Sequence, residues 1–422
     1  MILNYKFKNF LSFSENVEFS MLAPKTKVRK RFPNNYVETD GGFTILKSAV
    51  IVGENAGGKS NFVKSLAYFK SFFEDGKDVR SYRFAVHLNH IMEKCPKGSN
   101  THQIFEIEAL CSDDMIYLYH LEIDFMGISN ETLSFKRKYN EKYKLIFTVE
   151  REDCVEECGN EPDRCDYKKC RWETRVRYSW KIPGFDKNLL KLLEEAVEKQ
   201  KRPGLFILKL AVLGNEHAVC FSEWMKDFLC PESYVINADL YKALKNEEED
   251  MRVLKDPRYL EIFKLVDYSI TGIELDEEKP FTKTMVIRTK KDGKKLCNEI
   301  GKDSSGVSEF FAWALQIFKV VYENKVVFAD EMDRVLNPVL SDRAISFLNG
   351  KHHRGQFIFT THNVLHLDLK NYMKEQIYFI TKDAEHLESE MYSLADFPEI
   401  RYETTKIYEF YMKGILGGTA VE

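Results

Sequence analysis

A glycine-rich octapeptide, residues 53–60, lies between a predicted strand and a predicted helix. Its sequence fits the pattern G-x-x-x-x-G-K-[ST]. The apolar run at residues 49–52 predicts a buried strand before it, and apolar residues at helical spacing over residues 59–73 predict a helix after it. In this setting successive backbone N–H groups point into a cradle, and the helix N-terminus adds partial positive charge. The sequence therefore predicts a phosphate-binding turn beside an apolar strand.

The residues of this turn are expected to have different roles in holding a nucleotide. Lys59 would reach the β and γ phosphates, and Ser60 would coordinate Mg²⁺. A chance glycine turn is the alternative, and the matching strand and helix on either side argue against it. The other candidate nucleotide contacts are Gly53, Asn55, Gly57, Gly58 and Asn61.

A second apolar run, residues 326–329, ends in two adjacent carboxylates, Asp330 and Glu331. Nucleotide hydrolases place such a pair opposite their phosphate loop. We predict that Asp330 holds Mg²⁺ through its water shell, while Glu331 orients and deprotonates the attacking water. Taken alone, an acidic pair after a strand usually marks only the start of a loop, so this prediction depends on the phosphate-binding turn.

Two shorter segments supply further candidates for contact with a γ-phosphate. Residues 357–360 predict a strand that delivers His362 at its carboxyl end, where the ligands of α/β sheets collect. Ser304, Ser305 and Gly306 form a small-residue turn before a predicted helix, and its N–H groups and hydroxyls are suited to phosphate. Without the other motifs, the histidine would be interpreted as a capping or surface residue and the serine turn as an N-cap.

The composition is that of a soluble globular protein, with 422 residues, 44% hydrophobic and 30% charged. No run approaches the ~18 uncharged apolar residues of a membrane span. The first residues alternate like a strand and lack the pattern of a secretion signal, so we expect a cytoplasmic location and no membrane partner. The net charge of −4 does not indicate nucleic-acid binding, although it leaves a local basic face open.

The chain is predicted to contain two lobes separated by an insertion. Residues 1–150 and 256–422 carry the strands and helices around the motifs, and residues 151–255 are interpreted as a cysteine-rich hairpin followed by helices. The hairpin contains the pattern C-x3-C-x6-C-x4-C, a candidate structural Zn²⁺ site with four thiolate ligands. Four reduced cysteines in a loop are the alternative. The cysteines are Cys154, Cys158, Cys165 and Cys170.

The order of these motifs resembles that of ABC-type ATPase heads, and more closely that of AAA-labelled ATPases from bacterial phage-defence and abortive-infection loci. Leu11 stands where the family's opening motif commonly has arginine, and Gln103 is a candidate for its Q-loop residue. The segments that carry the resemblance are the opening motif at residues 7–13, Walker A at 53–60, the signature motif at 303–306, Walker B and the D-loop at 330–334, the switch histidine at 361–363 and the ending at 411–418.

The resemblance implies an α/β ABC-type ATPase head, with mixed parallel and antiparallel sheets flanked by helices, that uses ATP and Mg²⁺. It also implies that the signature motif of one subunit covers the ATP held by another, so that ATP joins two heads in a dimer or a higher oligomer. The expected function is a switch subunit of an anti-phage defence system. Its effector would be separately encoded, such as a TOPRIM-type nuclease, because too few residues follow His362 for an added catalytic domain.

Two other functions fit the same fold. A DNA-repair or DNA-end-binding ATPase of the SMC-like class predicts a basic groove and DNA-stimulated hydrolysis. The net charge of −4 and the lack of sustained heptads argue against this alternative without excluding it. The third is a scaffold in which ATP binding assembles subunits around an effector.

Overall fold

The computed structural model describes residues 1–24, 27–74, 102–124, 127–152, 177–198, 203–233, 247–332, 338–383, 387–403 and 406–417. The strands are β1 Ile2–Lys8, β2 Val17–Ser20, β3 Tyr36–Glu38, β4 Thr44–Leu46, β5 Ser48–Gly53, β6 Gln103–Leu110, β7 Ile116–Asp124, β8 Gly127–Lys136, β9 Lys144–Glu152, β10 Arg177–Lys181, β11 Leu229–Ser233, β12 Ile270–Glu274, β13 Met285–Thr289, β14 Lys295–Glu299, β15 Val326–Asp330, β16 Gln356–Thr361, β17 Ile377–Lys382 and β18 Ser389–Ser393. The α-helices are Lys59–Ser71, Lys187–Glu198, Phe206–Val212, Glu216–Glu223, Glu247–Leu254, Pro257–Phe263, Pro280–Lys283, Ser305–Glu323, Pro338–Gly350 and Ile407–Met412.

The first sheet is an antiparallel meander with the order β10-β9-β8-β7-β6-β1-β2. Its strands alternate buried and partly exposed residues, as expected when one face packs on a core. Helix Lys59–Ser71 covers the buried face with Phe62, Leu66 and Phe69, which have no exposed surface. The antiparallel part of the mixed sheets that the family resemblance implies is thereby confirmed.

The second sheet has the order β11-β15-β16-β5-β17-β18 and is parallel except for the pairing of β17 with β18. Every residue of β5, β15 and β16 is buried, which explains their uninterrupted apolar sequences. Because these three strands are parallel neighbours, their carboxyl ends meet at one edge of the sheet. That edge receives the phosphate-binding turn, the acidic pair and the histidine segment.

Helix Ser305–Glu323 packs against the second sheet and directly precedes β15. It is apolar over most of its surface, with fourteen of its nineteen residues buried. Asn324 ends the helix with a left-handed φ of 57°, and Lys325 N donates to the Lys319 carbonyl at 3.1 Å. The tight link makes the helix run antiparallel to β15, so its N-terminus points toward the same side as the carboxyl end of that strand.

Residues 177–198 and 203–228 of the predicted insertion pack on the first sheet. Strand β10 extends that sheet, and Phe206 and Phe221 from two short helices are fully buried in its core. One local prediction was wrong: residues 229–233 fall in a stretch with a helical pattern, yet they form β11. This strand is five residues long, has Pro231 at its centre and lies at a sheet edge, so its pattern is weak.

The four clustered cysteines lie outside the described residues, and the predicted domain boundaries remain a prediction. Within the described ranges, no helix combines the length and hydropathy needed to cross a membrane. The smaller sheets have the orders β12-β13-β14 and β3-β4. The mixed α/β fold predicted from the sequence is confirmed for the described parts of the chain.

Candidate nucleotide-binding site

The phosphate-binding turn connects β5 to helix Lys59–Ser71 and requires glycine at two positions for different reasons. Gly58 has a φ of 119°, and a Cβ there would lie 2.4 Å from Ser389 Oγ. A Cβ on Gly53 would lie 2.1 Å from the Ile380 carbonyl oxygen of the neighbouring strand β17. The helix has no acidic residue in its first turn, so the partial positive charge of its N-terminus is not offset there.

Lys59 lies at the centre of this turn with its side chain folded back over the backbone. Its Nζ donates to the Gly53 carbonyl at 2.8 Å and to the Glu54 carbonyl at 2.9 Å. Burial lowers the pKa of Lys59 to about 8, against the opposing effect of the nearby carboxylates of Glu331, Asp330 and Glu54. A bound phosphate would add negative charge and favour the ammonium form further.

His362 lies between Lys59 and Glu331. Its Nδ1 is 3.5 Å from Lys59 Nζ, and its Nε2 is 3.4 Å from Glu331 Oε1. The three side chains come from the carboxyl ends of three neighbouring parallel strands, β5, β15 and β16, or from the turns that follow them. The histidine is thus placed to connect Lys59, the candidate phosphate-binding lysine, with Glu331, the candidate base.

Thr360 joins the two carboxylate residues and was not predicted from the sequence. Its buried hydroxyl donates to Asp330 Oδ1 at 2.6 Å and accepts the backbone N–H of Glu331 at 2.8 Å. Glu331 has a φ of 50°, a left-handed conformation that non-glycine residues seldom adopt. The hydroxyl therefore fixes both the orientation of the Asp330 carboxylate and the backbone from which the Glu331 side chain projects.

A second group that sequence reasoning missed supports the turn from the opposite side. Ser389 Oγ donates to the Gly57 carbonyl at 2.6 Å and lies 2.7 Å from Ser12 Oγ. Ser12 Oγ also accepts Asn61 Nδ2 at 2.8 Å, so the side chain of Asn61 is bonded within the protein. The predicted nucleotide contact of Asn61 remains a prediction.

The opening motif forms the turn that brings Ser12 to this position. Asn9 and Leu11 have left-handed φ values of 56° and 51°, and Phe10 and Phe13 exchange backbone hydrogen bonds. Gln103, the Q-loop candidate, is fully buried and donates from Nε2 to the Asn9 carbonyl at 2.7 Å. The structure therefore places Gln103 beneath the opening turn, where it stabilises the backbone.

The signature turn is held by a charged pair that precedes it. Asp303 Oδ1 accepts the Ser304 N–H at 2.8 Å, and its Oδ2 accepts from Arg288 at 2.7 Å. Arg288 also donates to Asp267 at 2.9 Å. Ser304 caps helix Ser305–Glu323 by accepting the Val307 N–H at 3.4 Å.

Ser304 and Ser305 are exposed, and Gly306 is half-buried. The hydrogen bonds of Ser304 are made to its own helix and to Asp303, whereas His362 contacts both Lys59 and Glu331. Helix Ser305–Glu323 has no acidic residue in its first turn, and the carboxylate of Asp303, which precedes the helix, accepts the Ser304 N–H. The signature motif is therefore presented on the surface of the chain.

The oxygen atoms near the turn fit a magnesium ion bound together with phosphates. Asp330 is a buried carboxylate with one oxygen engaged by Thr360, and half-buried Ser60 follows Lys59 directly. Mg²⁺ commonly uses one or two protein oxygens and completes its shell with phosphate oxygens and water.

Across the described ranges, no group of three or more histidine, cysteine and acidic side chains could hold a metal alone. Zn²⁺ is therefore not supported there, and residues 333 and 334 of the predicted D-loop also lie outside those ranges.

The parallel sheet, the turn on β5, the acidic pair on β15 and the histidine after β16 define an ABC-type ATPase head. The family described as "AAA domain, putative AbiEii toxin, Type IV TA system" matches residues 48–368, and the chain belongs to this family. The family resemblance predicted from the motifs is thereby confirmed.

The chain is similar in structure to several solved SMC heads, and no curated protein matches it in sequence. The structure of the SmcHead bound to the C-winged helix domain of ScpA has 13% identity and a TM-score of 0.48, covering 93% of this chain and 97% of that one. The SMC head domain from Thermotoga maritima has 12% identity and a TM-score of 0.39, with coverages of 93% and 98%. A Smc head with an extended coiled coil, bound to the C-terminal domain of ScpA derived from Pyrococcus furiosus, has 13% identity, a TM-score of 0.43 and coverages of 98% and 98%.

Proposed function

We propose that this protein binds and hydrolyses ATP as the switch subunit of a bacterial abortive-infection system. The observation that carries the proposal is the contact series Lys59, His362 and Glu331, with separations of 3.5 and 3.4 Å. It joins a phosphate-binding cation to a carboxylate that can accept a proton from water. A turn that only binds phosphate does not require the contact between His362 and Glu331.

Each side chain then has a defined task. Lys59 would turn from the Gly53 and Glu54 carbonyls to the β and γ phosphates, and the backbone N–H groups of the turn would surround the same oxygens. Glu331 would hold a water in line with the γ-phosphate and accept its proton, and His362 would orient that carboxylate and contact the γ-phosphate. Mg²⁺, bound through Ser60 and Asp330, would neutralise phosphate charge.

The exposed signature turn supports an active state made of two heads. Ser304 and Ser305 are exposed, and a helix N-terminus that carries exposed serines is suited to a phosphate held by another molecule. A γ-phosphate bound between the turn of one chain and Ser304 of a second would couple dimer stability to nucleotide state. ATP binding would close the dimer, and hydrolysis would release it.

The family description, which names a toxin and a type IV toxin–antitoxin system, supports the assignment to defence. We propose that the head controls a separately encoded effector, such as a TOPRIM-type nuclease. The test is to purify the tagged protein co-expressed with its neighbouring genes, and to compare ATP turnover and bound proteins for the wild type and Lys59→Ala.

ATP turnover that Lys59→Ala abolishes, together with a bound companion protein, would support the proposal. Turnover that persists in Lys59→Ala would refute the site assignment. If added DNA raises ATP turnover several-fold, and DNA but no companion protein co-purifies with the chain, the result would instead favour the DNA-repair alternative.

A further inference from the structure

Two segments rich in lysine and arginine, far apart in the sequence, meet on one surface of the chain. Residues 27–31 and 136–144 contain nine basic residues and one acidic residue, whereas the whole chain has 62 basic and 66 acidic residues. Positive charge is therefore concentrated at one place in a chain whose net charge is −4.

The hairpin formed by β3 and β4 joins the two segments. In the first segment, Arg29 Nη1 donates to Thr44 Oγ1 of the hairpin at 3.0 Å. In the second, the Tyr139 N–H donates to the Gly41 carbonyl at 2.9 Å, and the Tyr139 and Phe43 rings pack edge to face with centroids 5.4 Å apart. We call the two segments and this hairpin the basic surface, which comprises residues 27–31, 36–46 and 136–144.

Most of the cations on the basic surface are not neutralised within the protein. Among the described residues, only Arg29, Arg31 and Lys136 of the nine pair with a carboxylate. The other six are exposed and have no ion-pair partner in the described part of the chain; they are Lys27, Lys30, Arg137, Lys138, Lys142 and Lys144. These side chains are available to an anionic ligand.

A cavity of about 470 Å³ opens between the two segments. The buried ring of Phe43 and the ring of Tyr139, a residue that is 40% exposed, form part of its wall. Arg29 and Glu38, the two charged side chains of the described lining, lie 3.4 Å apart and neutralise each other. The cavity therefore offers aromatic rings without net charge, and the unpaired cations lie around it.

This combination suits a ligand that carries regularly spaced negative charges and flat, uncharged rings. Single-stranded nucleic acids have this chemistry, because their phosphates contact lysine and arginine while their bases stack on aromatic side chains. An acidic peptide would match the cations but would not require the aromatic cavity. The bases of a duplex are stacked inside the helix, so they reach such a cavity only at the cost of unpairing.

We propose that the basic surface binds single-stranded nucleic acid, with phosphates on the exposed cations and a base stacked on Tyr139 in the cavity. The hairpin precedes β5, whereas the phosphate-binding turn follows β5 at its other end. A strand of six residues spans roughly 17–20 Å, so the two sites are separate. The proposal therefore does not depend on ATP binding or on the proposed function.

The test measures the binding of fluorescently labelled oligonucleotides to the full-length protein, without ATP, by fluorescence anisotropy. The probes are oligodeoxythymidine and oligouridine of about 16 nucleotides, the upper end of common site sizes for single strands. Binding of either probe supports the proposal, and the tighter one identifies the sugar that the surface prefers. If neither probe binds at low salt, the proposal is wrong.

Charge reversal tests whether the basic surface is the binding site. Lys138→Glu with Lys142→Glu should weaken binding about tenfold or more, and the slope of log affinity against log salt should fall by about 1.4, because each lost phosphate contact contributes about 0.7. The control is Lys291→Glu with Lys294→Glu, on the exposed turn between β13 and β14, which changes the net charge equally. Equal weakening in both variants would show that only overall charge matters and would overturn the assignment.

Substitution of Tyr139 tests the role of the aromatic ring. Tyr139→Leu keeps an apolar contact with Phe43 but removes stacking, and it should weaken oligonucleotide binding about fivefold or more, whereas Tyr139→Phe should bind like the wild type. Thermal unfolding of both variants checks that the hairpin contacts remain. Wild-type affinity in Tyr139→Leu would refute base stacking. Tighter binding of a duplex of the same length, or equal binding of labelled oligoglutamate, would overturn the assignment to single strands.

Discussion

Replacing Thr360 with valine removes one hydroxyl from the interior of the nucleotide site and almost conserves side-chain volume. The hydroxyl donates to Asp330 at 2.6 Å and accepts the Glu331 N–H at 2.8 Å. Losing a hydrogen bond to a charged group costs about 1.5–3 kcal/mol, and leaving a buried N–H unpaired costs about 1–3 kcal/mol. Both losses fall on the two residues predicted to hold Mg²⁺ and to activate water.

Part of this cost will appear as lower stability and part as a misplaced Glu331. If about 1.4–2.8 kcal/mol is lost from transition-state stabilisation, the kcat for ATP hydrolysis falls about 10- to 100-fold. The KM for ATP should change by less than about threefold, because Lys59 and the glycine turn keep their contacts and an interaction made mainly in the transition state affects kcat. Steady-state phosphate release over a range of ATP concentrations separates the two constants.

Two further variants provide the controls. Thr360→Ser retains the hydroxyl and should recover most of the turnover. Thr284→Val removes another buried hydroxyl that accepts a backbone N–H, from Asp276 at 3.1 Å, outside the nucleotide site. It should lower the thermal midpoint while kcat stays within about twofold of the wild type. The reasoning is refuted if Thr360→Val retains wild-type kcat, or if Thr284→Val loses as much turnover as Thr360→Val.

Three other changes have defined outcomes. Gly58→Ala should abolish binding of a non-hydrolysable ATP analogue by calorimetry, because its φ is 119° and its Cβ would lie 2.4 Å from Ser389 Oγ; unchanged affinity would contradict the turn geometry. Arg288→Ala should lower kcat about tenfold or more with little change in analogue binding, because Asp303 loses its partner at 2.7 Å and the signature turn loses its orientation; Arg288→Lys should recover part of the turnover. Burial raises the pKa of Glu131 to about 7 in the folded protein, so the folded state binds this proton more tightly than the unfolded state and stability falls as the pH rises from about 4.5 to 7. Denaturant unfolding at pH 5 and pH 8 should show that the wild type loses about 2–3 kcal/mol more stability than Glu131→Gln between these two pH values, and an equal change in both proteins would contradict this source.

The parts of the site that come from local sequence could be predicted before the structure was known. The glycine turn, Lys59 and the flanking elements are contiguous, and the parallel order of the strands then places Asp330 and His362 at the same sheet edge. Thr360 lies in an apolar strand where nothing in the pattern distinguishes a bridging hydroxyl. The family match agrees with the local motifs, since it covers residues 48–368.

Contacts between distant segments could not be predicted in the same way. Ser12 and Ser389 meet behind the glycine turn although they lie near opposite ends of the chain, and single serines carry no signal of such a contact. Strand β11 was missed because pairing with β15, and not its own composition, stabilises it. Sequence patterns show which face of a helix or strand is apolar more reliably than they show which residues that face contacts.

The central claim, that ATP joins two heads through this site, is tested most directly by measuring the mass of Glu331→Gln in solution. We expect Glu331→Gln with ATP and Mg²⁺ to form a stable dimer by light scattering, because the nucleotide binds and is not hydrolysed. The same variant without nucleotide, and the double variant Lys59→Ala with Glu331→Gln, should remain smaller under the same conditions. A mass that is the same with and without ATP, in protein shown by calorimetry to bind the nucleotide, would contradict the account.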